Sequence, residues 1–164
     1  MKATRIVALF LLAGFPFSAY ALHPASPKIT PAGAQELIGL VDNSDFRYLD
    51  GCGCSVQPPS KGRNQRDHYY LLTELGDATG KRAWMNIDGR VTALSLSSTT
   101  GPAPKRRGSK FTEVYKGGGA TARLTYTVSS PSRPGGEVTK YTVTITVTKG
   151  NRSQTVRAVG DCGC

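Results

Sequence analysis

Histidine is nearly missing from this chain: 164 residues hold only His23 and His68. That scarcity excludes a multi-histidine metal centre and leaves few bases for general acid–base chemistry. Acids are few as well, 11 Asp+Glu against 21 Lys+Arg, for a formal net charge of +10. There is no Gly-x-Ser-x-Gly elbow, no zincin motif and no glycine-rich loop leading from strand to helix. Asp42, Asp45 and Asp50 lack the spacing of a calcium loop. Asp67 precedes His68 directly, and neighbours on an extended chain face opposite ways, so the two make no dyad. His23 would be the second residue of a processed chain, one short of the third position that an amino-terminal copper site needs. The absences point away from an enzyme.

What is present begins with a leader. Lys2 and Arg5 supply a basic start, Ile6 to Phe17 an apolar stretch too short for a membrane span, and Ala19-Tyr20-Ala21 the small residues that signal peptidase reads. Residues 1–21 are expected to be a signal peptide cleaved after Ala21, leaving a periplasmic or secreted protein of net charge +8 without a transmembrane anchor. Residues 22–45 read as an N-terminal arm and a short helix. The arm is proline-rich; Thr30 caps Pro31, and Ala34, Leu37, Ile38 and Val41 fall at helical spacing, so Pro31 to Val41 is the expected helix.

From residue 46 to 164 the period changes to two. Tyr141, Val143, Ile145 and Val147 alternate with Thr142, Thr144, Thr146 and Thr148, the pattern of a strand with one buried and one wet face. Similar segments run from Cys52 to Gln57, Tyr69 to Leu75, Ala83 to Ile87, Val91 to Leu96, Phe111 to Tyr115, Ala122 to Val128 and Gln154 to Val159. Asp88-Gly89 between two of them is a hairpin signal. The spacing predicts a mainly β domain: an antiparallel up-and-down sheet of about eight strands, closed into a barrel or folded as a sandwich. Trp84 and the tyrosines Tyr69, Tyr70, Tyr115, Tyr126 and Tyr141 are expected in its core or seam, and a closed barrel has room either for its own side chains or for one small apolar ligand.

Closure is argued from the cysteines. Cys52-Gly53-Cys54 and Cys162-Gly163-Cys164 are the only four in the chain, and residues i and i+2 of a strand share a face. The motifs meet only if the first and last strands pair, joining Cys52 to Cys164 and Cys54 to Cys162. Such long links stabilise more than a bond within one motif. Three pairings are open to four cysteines. Two other readings stand beside structural disulfides: a four-thiolate site for Cu(I) or Zn(II), and a redox-active thiol pair.

Positive charge gathers in the loops. Lys105, Arg106 and Arg107 with Lys110 form the densest group, and Lys81, Arg82 and Arg133 are expected at the same end of the sheet as the cysteines. Lys61, Arg63 and Arg66 fall at the other end. A cationic end on an exported protein suits lipopolysaccharide phosphates, teichoic acid or an acidic protein partner, an enzyme it inhibits included, and export argues against nucleic acid. The expected function is therefore a non-catalytic envelope binding protein stabilised by two disulfides, with no cofactor. The alternatives are the metal-binding and thiol–disulfide roles of the same cysteines.

Trp84-Met85-Asn86-Ile87-Asp88-Gly89, Phe111-Thr112-Glu113-Val114-Tyr115 and the closing Ala158-Val159-Gly160-Asp161-Cys162-Gly163-Cys164 resemble parts of uncharacterised bacterial exported proteins with a C-terminal Cys-Gly-Cys motif. The resemblance covers about the last half of the chain. It implies an exported bacterial setting and carries no activity or site residue.

Overall fold

Alternation decides the architecture, because each strand with one apolar face must find a neighbour and a shared interior. In the computed structural model, which describes residues 36–42, 52–59, 68–74, 82–101, 106–132 and 136–163, the described chain is built of strands. They are β1 (Ile38–Gly39), β2 (Val41–Asp42), β3 (Gly53–Gln57), β4 (His68–Tyr69), β5 (Leu71–Glu74), β6 (Arg82–Ile87), β7 (Arg90–Thr99), β8 (Lys110–Gly117), β9 (Ala120–Ser130), β10 (Thr139–Lys149) and β11 (Arg152–Gly163). Eight of them close a ring, β6-β5-β3-β11-β10-β9-β8-β7 and back to β6. Every pairing is antiparallel. The expected barrel is present, with the first strand of the ring, β3, against the last, β11.

The registers set its shape. Paired residues lead from Cys162 to Cys54, Thr73, Ala83 and Leu94. Leu94 lies beside Gly117, and the path continues through Ala120 and Lys149 back to β11 at Arg152, ten residues from its start. A stagger of ten over eight strands tilts the strands about 41° from the barrel axis, given ordinary strand spacing. Val56, Leu71, Met85, Leu94, Leu124 and Ile145 are among the buried residues that fill the interior. The hairpin between β6 and β7 turns on Asp88 (φ 56°) and Gly89 (φ 75°), both left-handed, as a type I′ turn demands.

The helix expected over Pro31 to Val41 is corrected where the structure describes it. Residues 31–35 lie outside the described residues, but Ile38–Gly39 and Val41–Asp42 are extended and paired, Ile38 with Ile87 and Val41 with Tyr69. Leu37, Ile38 and Val41 are buried, as their apolar character requires, but Ile38 and Val41 from strands and Leu37 from the bend before β1. The reason is an open edge: β5 pairs with β6 only at Trp84 and Ala83, so the far end of β6 offers backbone partners to β1. Hydrogen bonds fix the segment there, Asn86 Nδ2 donating to Leu40 O (3.0 Å), Asp88 N to Leu37 O (3.1 Å) and Ile38 N to Gln154 Oε1 (2.8 Å). A Cβ on Gly39 would come within 2.9 Å of the Asn86 side chain.

Candidate functional site at the stapled rim

The Cys-Gly-Cys spacing places alternate sulfurs on one face of each strand, and the seam brings two of them together. Cys54 pairs directly with Cys162 across β3 and β11, Cα to Cα 4.0 Å, and the two are disulfide-bonded over a sequence separation of 108. The Cys54 amide donates to Thr73 Oγ1 of β5 (3.0 Å), so three strands are tied at one rung. Two glycines let the backbones close. A Cβ on Gly160 would stand 2.5 Å from Ser55 O, and one on Gly163 2.4 Å from Glu137 O. Cys52 is also disulfide-bonded; Cys164 lies outside the described residues. A disulfide sulfur is not the thiolate that a four-cysteine metal site requires, and no group of three or more metal-ligating side chains occurs among the described residues.

The basic residues divide. Arg106 and Arg107 open a turn in which Ser109 N donates to Arg106 O (3.1 Å) and Gly108 takes φ 81°, the left-handed third position of a type II turn. Gly108 N donates to Val128 O (2.8 Å) and Val128 N to Ser109 O (3.0 Å), pinning that turn to the end of β9. Arg106, Arg107 and Lys110 are all exposed. Arg82 is exposed at the start of β6, next to Ala83 on the Cys54–Thr73 rung. Two strands, β3 and β5, lie between Cys162 and the strand of Arg82, and two, β10 and β9, between Cys162 and the strand of Lys110. Only β7 lies between the strands of Arg82 and Lys110, so the described basic groups stand on the side of the ring away from the staple. Lys81, Lys105 and Arg133 lie outside the described residues, as do Lys61, Arg63 and Arg66.

His68 meets an acid, though not its chain neighbour. Its Nε2 lies 3.9 Å from Asp42 Oδ2 across the β2–β4 pair, and both side chains are nearly half exposed. At that distance and exposure the contact is a loose surface pair without the fixed hydrogen bond of a catalytic dyad.

The feature that the sequence reading missed is inside the barrel. Glu113, on β8, points inward and is 2% exposed. Tyr115 Oη donates to its Oε2 at 2.9 Å. Tyr126, on β9, faces the same carboxylate, but its hydroxyl makes no well-formed hydrogen bond. Burial, reinforced by the Glu113 charge, pushes the Tyr115 and Tyr126 hydroxyls well above the usual phenol range, and burial raises Tyr141 as well. Above this group Phe111 stacks on Tyr126, centroids 4.5 Å apart, and Tyr141 meets both rings edge-on. All three tyrosines therefore stay protonated hydrogen-bond donors at neutral pH. The signal was period two itself: Glu113 occupies the inward position between Phe111 and Tyr115, where an apolar residue belongs.

No protein-family model matches the chain, and no curated protein or solved structure is significantly similar to it. Among the described residues no helix is long and apolar enough to cross a membrane.

Proposed function

We propose that this disulfide-stapled β-barrel is an exported, non-catalytic binding protein of the bacterial cell envelope, and that its basic rim engages an anionic envelope component. The carrying observation is the Arg106–Arg107 turn, hydrogen-bonded onto β9 beside exposed Lys110. A pinned backbone removes the cost of ordering the loop when its cations meet an anion, and guanidinium forks match phosphate and carboxylate oxygens. The disulfide fits an oxidising compartment, and the leader read at residues 1–21 supplies the route to it. Cys52 and Cys164 are taken as the second rung of the same staple, so that the oxidised protein carries two disulfides and four fewer hydrogens than its reduced form.

The test is titration of the full processed chain with lipopolysaccharide and, separately, with teichoic acid at low and high salt. Binding should weaken with salt, and R106E/R107E should weaken it at least tenfold with the thermal transition unchanged; each charge-assisted contact is worth about 1.5–3 kcal/mol. Unchanged affinity in that variant would overturn the rim as the binding surface. Intact mass under non-reducing conditions checks the cysteines. A full complement of hydrogens would overturn the disulfide reading in favour of the metal and redox alternatives.

A further inference from the structure

The outer wall of the long strands is as regular as the core. Along β8 to β11, from Lys110 to Arg157, the outward positions hold only Thr, Ser, Val, Lys and Arg. Thr144 of β10 stands between Thr125 of β9 and Arg157 of β11, and Thr146 between Arg123 and Thr155. Thr142, Thr144, Arg123 and Arg157 are exposed. The first acid reached along this face is Asp161 near the staple, which accepts from Ser55 Oγ at 2.6 Å. Four strands at ordinary spacing give a hydroxyl-and-cation panel of roughly 20 by 20 Å.

We infer that this wall is a docking surface for a linear anionic polysaccharide. The inference rests on the reading that the barrel binds an anion, and it names the ligand's class and a second place on the molecule for it. Charge complementarity favours an acidic partner, since cations dominate the panel and the one acid at its border, Asp161, stands opposite Lys140. What it lacks narrows the choice. It has no outward aromatic ring on which nucleic-acid bases stack. It has no large apolar anchor of the kind that dominates protein interfaces or inserts into a membrane. Rows of threonine hydroxyls can both donate to and accept from sugar hydroxyls, while Arg123 and Arg157 hold carboxylate or sulfate groups in bidentate fashion. Lys110 sits where the wall meets the basic rim, so a chain laid on the panel continues onto the Arg106–Arg107 turn.

Alginate, a polyuronate, is the probe, with duplex DNA and polyglutamate as competitors of like charge, titrated against the full processed chain at low salt. R123Q/R157Q should weaken alginate binding about tenfold or more, two charge-assisted contacts being lost. T142V/T144V keeps shape, charge and β propensity, and should weaken alginate roughly fivefold while leaving polyglutamate binding unchanged. Circular dichroism and the thermal midpoint report that both variants fold. Failure of the wild type to bind alginate, equal or tighter binding of duplex DNA, or unchanged alginate affinity in T142V/T144V each overturns the wall. If R106E/R107E alone loses alginate while both wall variants bind normally, the rim survives and the wall falls. Loss in the wall variants with none in R106E/R107E has the opposite meaning.

Discussion

The barrel's two halves hold together by different means. Strands β8 to β11 are 8, 11, 11 and 12 residues long and share long registers, with one shift between β9 and β10 at Lys140 and Tyr141. On the other side β3, β5 and β6 have 5, 4 and 6 residues. In the long half, backbone pairing and the apolar faces of Leu124, Tyr126, Val143 and Ile145 are sufficient. The short half leans on additions: the Cys54–Cys162 bond, the Thr73 hydroxyl on the Cys54 amide, and β1 laid along the free end of β6. A sheet too short to specify itself through burial is specified through links.

The largest effect should come from removing the link. C52S/C54S/C162S/C164S, which removes both rungs so that neither still closes the long loop, is expected to lose about 4–5 kcal/mol, the chain-entropy value for a loop of this length, read from urea unfolding. Native-state hydrogen exchange should place the earliest loss in β3 and β5, with β9 and β10 protected to the global limit. Uniform loss across the barrel would erase the contrast between the halves. Next comes Ile145→Ala in the long half, where a fully buried side chain leaves a cavity worth about 2–5 kcal/mol. This variant should unfold in a single transition with every amide affected alike.

Gly160→Ala sharpens the comparison at a smaller scale. The new methyl meets the Ser55 carbonyl of β3, and overpacking of this kind costs about 1–3 kcal/mol. Reducing the disulfide beforehand should lessen that cost, because β3 is then able to move; an equal cost in the reduced protein would show that the seam is rigid without its staple. The smallest effect sits where the two halves touch. Asp88, in the β6–β7 turn, pairs with Lys149 (2.9 Å) and Arg152 in the β10–β11 turn. Hydrogen bonds from those two cations hold its carboxyl below the ordinary value of 3.8. A depressed folded pKa gives stability that is present above pH 3.8 and lost as the pH falls through the folded value. The advantage of wild type over Asp88→Asn should therefore shrink between pH 5 and pH 2 in urea midpoints. Asn tolerates the left-handed turn position, so the fold is kept.

These differences explain what the sequence disclosed. Tyr141 to Thr148 alternate without exception, and a one-residue slip would turn every threonine inward, so strand, face and register were legible together. The cysteine pairs then fixed which ends of the barrel meet. Leu37, Ile38 and Val41 misled because their spacing suits a helix face, and the edge of β6 that claims them exists only once the barrel has formed. The break between β4 and β5 at Tyr70, whose amide donates to Val56 O, has no local sequence mark. Of the candidate site, the exposed Arg106, Arg107 and Lys110 were readable as charge, but not their hydrogen-bonded turn. Glu113 was passed over because an acid within a strand is ordinarily placed on the wet face. Only its parity with Phe111 and Tyr115 puts it inside.

The rung between Cys54 and Cys162 also governs the order of events in time. Hairpins such as β10–β11 join residues a few positions apart, whereas the seam joins residues 108 apart. Loop-closure entropy makes local pairs form early and the ring closure late. Until that step, β3 and β11 are two unpaired edges, each a template for the edge of another copy. Intermolecular capture at this stage is the natural misfolding route, and it competes with closure in proportion to protein concentration. Oxidation of Cys54 and Cys162 ends the competition by locking the intramolecular pair. The staple is therefore a kinetic latch as well as a source of stability.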